Sequence, residues 1–281
     1  MISTPVALAV LGSALMHASW NFLVKASTDR LLDTAALAVG GSLVATVLLP
    51  FFPLPAEESR LWLGISVFVH IAYFLALIES YKHADLSVAY PLMRGFAPVI
   101  VALGAPLFGE PYSPGLLMGI TLVGLGITLP ALMGLRRGIT ARIGLVYALG
   151  NSVIIALYTV LDGIGVRQSG SAISYTLWLF FFDAWGILAV AVWYRGINAL
   201  HYLRRRWNYA LGGSILTIGS YGIVLWAMTV APIPAVAALR ETSVIFAALL
   251  GTTLLREKMG SWRAGGALVI ALGAVIIRIG A

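Results

Sequence analysis

The sequence predicts an all-α integral membrane protein of ten transmembrane helices, built as two inverted five-helix repeats. Three observations carry that prediction. Apolar residues fill 60% of the 281 positions against 10% charged, and the mean hydropathy of +0.96 lies far above that of soluble domains, of which about half is apolar. A hydrocarbon layer about 30 Å thick takes about 20 helical residues at 1.5 Å each, and by that ruler the chain divides into ten runs. A weak internal repeat then relates the two halves.

The runs cover residues 5–25, 33–53, 60–81, 85–108, 114–135, 141–166, 172–194, 208–230, 233–255 and 260–280. Because MISTPVALAVLG lacks a basic stretch, residues 5–24 read as a retained first span and not as a cleaved signal. Ser113-Pro114 is an N-cap followed by proline at the first helical position, and Pro234 has the same part before the ninth span. Connections are short, so no soluble domain fits between spans. Trp62, Trp193, Trp207 and Trp262 lie near span ends, where indoles anchor at the membrane surface.

A shift of 147 residues aligns Leu92 with Leu239, Gly104 with Gly251, Glu110 with Glu257, Gly119 with Gly266 and Gly126 with Gly273. The glycine-then-glutamate spacing is six residues in both halves. Earlier in each half the shift is nearer 138, which sets Trp20 opposite Tyr158. The repeats are therefore expected at 1–137 and 138–281. Five spans is an odd number, so the second copy enters the membrane with opposite polarity.

These ten spans, the five-plus-five duplication and the span ends LGAPLFGE and LGTTLLREK resemble the drug/metabolite transporter superfamily in its EamA-type branch. General similarity within that branch points to aromatic amino-acid exporters of the YddG type. The resemblance covers essentially the whole chain and implies a secondary transporter whose substrate site lies near mid-membrane between the halves, where rocking alternates access.

Other classes are disfavoured by composition and motif. The net charge of +7 comes from arginines and lysines in short connections, a topology pattern that argues against nucleic-acid binding. Cysteine is absent, which removes disulfides, thiolate nucleophiles and cysteine metal sites. HExxH, GxSxG and phosphate-loop patterns are also missing, so no enzyme, cofactor or metal is expected. The partners expected are a small-molecule substrate and the lipid bilayer, with a monomer preferred over a dimer. Thirteen Lys and Arg fall on the face reached after odd-numbered spans and only Arg60, Arg167 and Arg278 on the other. By the positive-inside rule both termini are periplasmic in a bacterial-type inner membrane, and RGINALHYLRRRWN is the main cytoplasmic loop.

A few residues do not belong in oil. Arg94 on the fourth span and Glu241 on the ninth are counterparts under the 147 shift, and Arg240 is beside Glu241. Each is about 12 Å along its helix, where a charge costs roughly 2.5–3.5 kcal/mol unless it meets water or a partner. Two readings stay open: a salt bridge locking the halves, or a zwitterion site in which guanidinium holds a carboxylate and Glu241 an amine. Pro91 and Pro98 are expected to disrupt the regular ladder of the fourth helix, exposing carbonyls along a cavity or in buried protein. Ser13, His17, Asn21 and Lys25 form a polar stripe on the first helix with Trp20 adjacent, suited to interior packing or to a cavity wall.

His70, Tyr73, Leu77 and Tyr81 share a face of the third span, and Tyr90, Tyr158 and Tyr221 add deep rings with polar tips. If these converge on Arg94, an aromatic or apolar amino acid suits the chamber. Glu110 and Glu257 are expected to stabilise the N-terminus of the helix that follows each. Asp162 and Asp183 are proton-sensitive or interfacial, and Gly115, Gly119, Gly266 and Gly273 permit close helix approach. Rival readings are a carrier of drugs or sugar phosphates, an intramembrane enzyme on lipid-linked substrates, and a non-transporting assembly subunit.

Overall fold

A segment in hydrocarbon must satisfy its backbone hydrogen bonds internally, and every long apolar run of this chain does so as a helix. The computed structural model describes residues 2–25, 29–83, 86–110, 113–133, 139–254 and 260–281, with no strand among them. The helices are α1 (Thr4–Lys25), α2 (Arg30–Leu48), α3 (Glu57–His83), α4 (Leu86–Gly104), α5 (Pro114–Met133) and α6 (Ile139–Gln168). They continue with α7 (Ala172–Arg195), α8 (Asn198–Arg205), α9 (Trp207–Val230), α10 (Ile233–Arg240), α11 (Ser243–Leu254) and α12 (Ser261–Gly280). Ten stretches are long and apolar enough to span, from Thr4–Val24 to Ser261–Gly280, with α10 and α11 together making the ninth, Ile233–Leu254.

Local chemistry sets the boundaries. Ser113 caps α5 by accepting from the Leu116 N–H at 3.0 Å, and its hydroxyl donates to the Gly280 carbonyl at 2.5 Å, tying the start of α5 to the end of α12. Asp29 caps α2 through the Leu32 N–H at 3.2 Å, and Ser171 caps α7 through that of Ser174 at 3.3 Å. The basic connection at 195–208 is more than a loop, since it holds α8. Ala199 is buried there, and Tyr202 and Arg206 bond Asp33 at 2.8 and 3.0 Å. A small residue and a tyrosine one turn apart give this short helix an inward face that the run of arginines hides in sequence.

Helix pairings come in sets that inverted duplication predicts. The third span packs on the sixth as the first does on the eighth, and the fourth packs on the sixth as the first does on the ninth. The second packs on the seventh and the fifth on the tenth, each pair being its own counterpart. The seam between α5 and α12 is intramolecular and depends on glycine: a Cβ on Gly126 would sit 2.8 Å from the Gly266 carbonyl oxygen. Lys25, Tyr81 and Lys82 beyond their backbones, and Glu257 altogether, lie outside the described residues.

A disrupted ladder and a broken helix are different things in this fold. Helix α4 runs unbroken through Pro91 and Pro98, whereas the ninth span breaks at Glu241 and Thr242, where no proline stands. A mid-helix proline removes one hydrogen bond, and neighbouring helices can hold the segment straight enough to continue. In the ninth span, turn-like bonds replace the ladder: the Glu241 and Thr242 N–H groups donate to Ala238 and Leu239 at 3.1 Å. Trp193, Trp207 and Trp262 are exposed, and the Trp62 indole donates to Gln168 at 2.9 Å.

Candidate functional site

The break in the ninth span turns Glu241 toward α4, and there it meets Arg94. The guanidinium engages both carboxylate oxygens: Nε donates to Oε2 at 2.9 Å, and Nη2 reaches Oε1 at 2.6 Å off the hydrogen-bond axis. Both side chains are almost fully buried, at 4% and 5% exposure. Pro98 adds a local feature. As it has no N–H, the Arg94 carbonyl lacks the donor that an α-helix supplies four residues on.

Around this pair the structure gathers the residues expected from sequence. Tyr73, Tyr90 and Tyr158 lie near Arg94. Arg240 lies over the Tyr221 ring at 5.0 Å, a cation–π contact. His17 is buried, with Arg240 and Arg94 as its charged neighbours and Trp20 edge-on at 5.0 Å. Asn21 donates to the His17 carbonyl at 2.8 Å and accepts from the Tyr90 hydroxyl at 3.4 Å, joining α1 to α4. His70 stacks on Tyr158 at 4.3 Å, and Tyr73 meets that ring edge-on at 5.8 Å. Beside the pair, His17 Nε2 and Arg240 Nε are buried with no hydrogen-bond partner among the described residues.

A second polar group adjoins the first. Asp162, fully buried on α6, accepts from the Tyr175 hydroxyl at 3.1 Å and the Tyr221 hydroxyl at 2.5 Å. His70 Nδ1 is 3.0 Å from the Ser66 carbonyl and 3.8 Å from Asp183 Oδ2. Neither aspartate is interfacial, since both are turned into the bundle beside His70. Tyr175 and Ser66 belong to this group, and sequence reasoning missed both because nothing local distinguishes them.

Glu110 corrects another expectation. Its carboxylate pairs with Arg167 and accepts the Ile233 N–H at 3.3 Å, so it serves the start of α10 in the other half and not the adjacent α5. The long-range contact wins because Arg167 completes the site, also donating to the carbonyls of Met228 at 2.7 Å and Ala231 at 3.0 Å.

Space beside the central pair is small. A cavity of about 10 Å³ is walled by Arg94, Pro98, Thr159, Met228, Arg240 and Glu241, enough for about one water. The expected hollow with space for a metabolite beside Arg94 is not seen among the described residues.

Comparison with known proteins is consistent with this architecture. A search of the curated proteins finds no match. One solved structure, described as "Crystal structure of protein", is similar over 99% of each chain with a TM-score of 0.75. At 16% identity that likeness carries the fold alone. Residues 142–279, which hold the last five spans, match the model of the EamA-like transporter family as a whole, with nothing that singles out the YddG type. That match supports a multi-pass membrane transporter of the drug/metabolite superfamily, and transport in place of catalysis.

Proposed function

We propose that the protein is a secondary transporter exporting small zwitterionic metabolites, above all amino acids with aromatic or apolar side chains, by alternating access around the Arg94–Glu241 pair. The observation that carries this reading is a buried ion pair engaging both carboxylate oxygens, one member from each half of the chain. A zwitterion carries the same two charges. Its carboxylate can take the guanidinium while its ammonium takes Glu241, so the exchange leaves the buried charge unchanged. A net cation or anion would leave an unpaired charge behind, at a cost of several kcal/mol. The free donors on Arg240 and His17 offer further contacts to a carboxylate, and the rings of Tyr73, Tyr90 and Tyr158 suit an apolar or aromatic side chain.

With room for about one water, the conformation described is the closed one. Splitting the pair opens the centre to one face, and reforming it around nothing closes the empty carrier. The same small cavity favours a second reading, a static lock between halves with no ligand. Purified protein in liposomes separates the two. Counterflow of radiolabelled phenylalanine or tryptophan is expected, and flat flux across the standard amino acids removes the substrate assignment.

Orientation belongs to the proposal: both termini periplasmic, in a bacterial-type inner membrane. Because the chain has no cysteine, a single cysteine introduced at Ser3 or at Ala281 reports its side through an impermeant thiol reagent. Labelling in intact cells is expected, and labelling only after lysis reverses the assignment.

A further inference from the structure

The connection between the seventh and eighth spans carries charge that the transport reading does not use. Four arginines stand in or beside it, Arg195, Arg204, Arg205 and Arg206. Two of them are matched: Arg195 Nε donates to Asp29 at 3.0 Å, and Arg206 Nη2 donates to Asp33 at 3.0 Å. Arg204 and Arg205 are exposed, and no carboxylate pairs with either among the described residues. Two neighbouring guanidiniums are thus left for something outside the chain.

Helix α8 decides how they are presented. Its inner side is fastened to the bundle: Ala199 is fully buried, and the Tyr202 hydroxyl donates to the buried Asp33 carboxylate at 2.8 Å. Arg206, which ends the helix, bonds the other oxygen of that carboxylate and lies over the Tyr209 ring at 4.4 Å. Helical residues three and four apart share a face, so fixing this side turns the opposite one outward. The outward residues are Ile197, Leu200, His201, Arg204 and Arg205, all of them exposed.

That face mixes free cations with bare apolar side chains, at 63% exposure for Ile197 and 44% for Leu200. An acidic protein or a nucleic acid would engage the arginines and leave both aliphatic residues against water. A lipid surface uses both, since apolar side chains enter the acyl boundary while guanidiniums stay at the phosphates. The position agrees. Helix α8 joins the end of the span Ala172–Arg195 to the start of the span Trp207–Val230, where the chain leaves hydrocarbon, and the exposed rings of Trp193 and Trp207 flank it.

We propose that the outer face of α8 is a binding site for an anionic phospholipid, with Arg204 and Arg205 on the headgroup phosphate and Ile197 and Leu200 against the acyl chains. A net negative headgroup is required, because the ammonium group of a zwitterionic lipid offsets the phosphate that two guanidiniums seek. The bound lipid braces the second, seventh and eighth spans, since α8 packs on all three and Asp33 ties it to α2.

Native mass spectrometry of the purified full chain in detergent tests this, with dioleoyl phosphatidylglycerol and dioleoyl phosphatidylcholine as the probes. Phosphatidylglycerol should bind the more tightly and raise Tm. R204Q/R205Q should weaken its binding about thirtyfold, while the lipid-free Tm stays within about 2 °C of wild type because neither side chain bonds the fold. Should the double variant lose its fold, R204Q and R205Q singly carry the test at about fivefold each. Glycerol phosphate, the headgroup without chains, should fail to displace the lipid. Equal affinity for the two lipids, undiminished binding in the arginine variants, or displacement by equimolar glycerol phosphate overturns the site. So does an equal loss in Arg60→Gln, which removes an exposed arginine from the opposite face. No substrate enters the assay, so each of these outcomes leaves the transport reading untouched.

Discussion

Among the ion pairs that join the first half of the chain to the second, Arg94–Glu241 and Arg167–Glu110 are built differently. Arg94–Glu241 is buried on both sides, at 4% and 5% exposure, and contact between the two charged groups holds it. Arg167–Glu110 is asymmetric, at 36% and 2%, and is embedded in backbone: Arg167 donates to two carbonyls, and Glu110 accepts an N–H at the start of α10. A pair whose two charged groups bond chiefly each other can be replaced by a ligand that brings the same two charges. A pair woven into helix ends cannot be replaced without unravelling them. The inner pair has the chemistry of an exchangeable latch and the outer one that of a fixed seal.

The most severe way to break the contrast is to remove one inner partner. Arg94→Ala or Glu241→Ala leaves the other charge buried and unpaired, which should cost about 3–5 kcal/mol. The readout is a lowered Tm in detergent together with lost counterflow. R94Q/E241Q should recover most of the stability, since two neutral amides can bond each other, yet leave exchange reduced at least about tenfold. Wild-type counterflow in the double variant would mean a lock and no binding site.

At the outer pair the expected loss is smaller. Arg167→Gln should cost about 1–2 kcal/mol, because a guanidinium more than a third exposed is already screened while Glu110 keeps its N–H donor. Counterflow should change by less than about threefold, well short of the loss at the inner pair. Equal damage at both pairs would erase the distinction between latch and seal.

The inner pair was legible in sequence for a physical reason. A charge inside an apolar run stands out, and a register shift of 147 sets Arg94 opposite Glu241 before any coordinates are considered. Span boundaries were legible too, because hydrocarbon thickness fixes helix length. The ladder bond that Pro98 removes was legible as well, but nothing local announced that the ninth span would break at Glu241 and Thr242 while α4 stayed continuous. The cluster around Asp162 left little trace, since His70, Asp162 and Asp183 come from three spans. Under the repeat, His70 falls opposite Thr217, so no acidic counterpart signals the site. Glu110 was misread for the same reason, its partners being 57 and 123 residues away.

The mildest prediction asks whether the latch and the acidic cluster communicate. Tyr221→Phe keeps the ring beneath Arg240 and deletes one hydroxyl donated to Asp162, whereas Tyr175→Phe deletes the other and leaves the ring under Arg240 untouched. Each variant loses one hydrogen bond to a buried carboxylate, so each should lower stability by about 1–3 kcal/mol. Their transport should differ. If Tyr221 links Asp162 to Arg240, Tyr221→Phe reduces counterflow of phenylalanine several times more than Tyr175→Phe does. Identical behaviour of the two variants would show that Asp162 needs donors but does not speak through them to the latch.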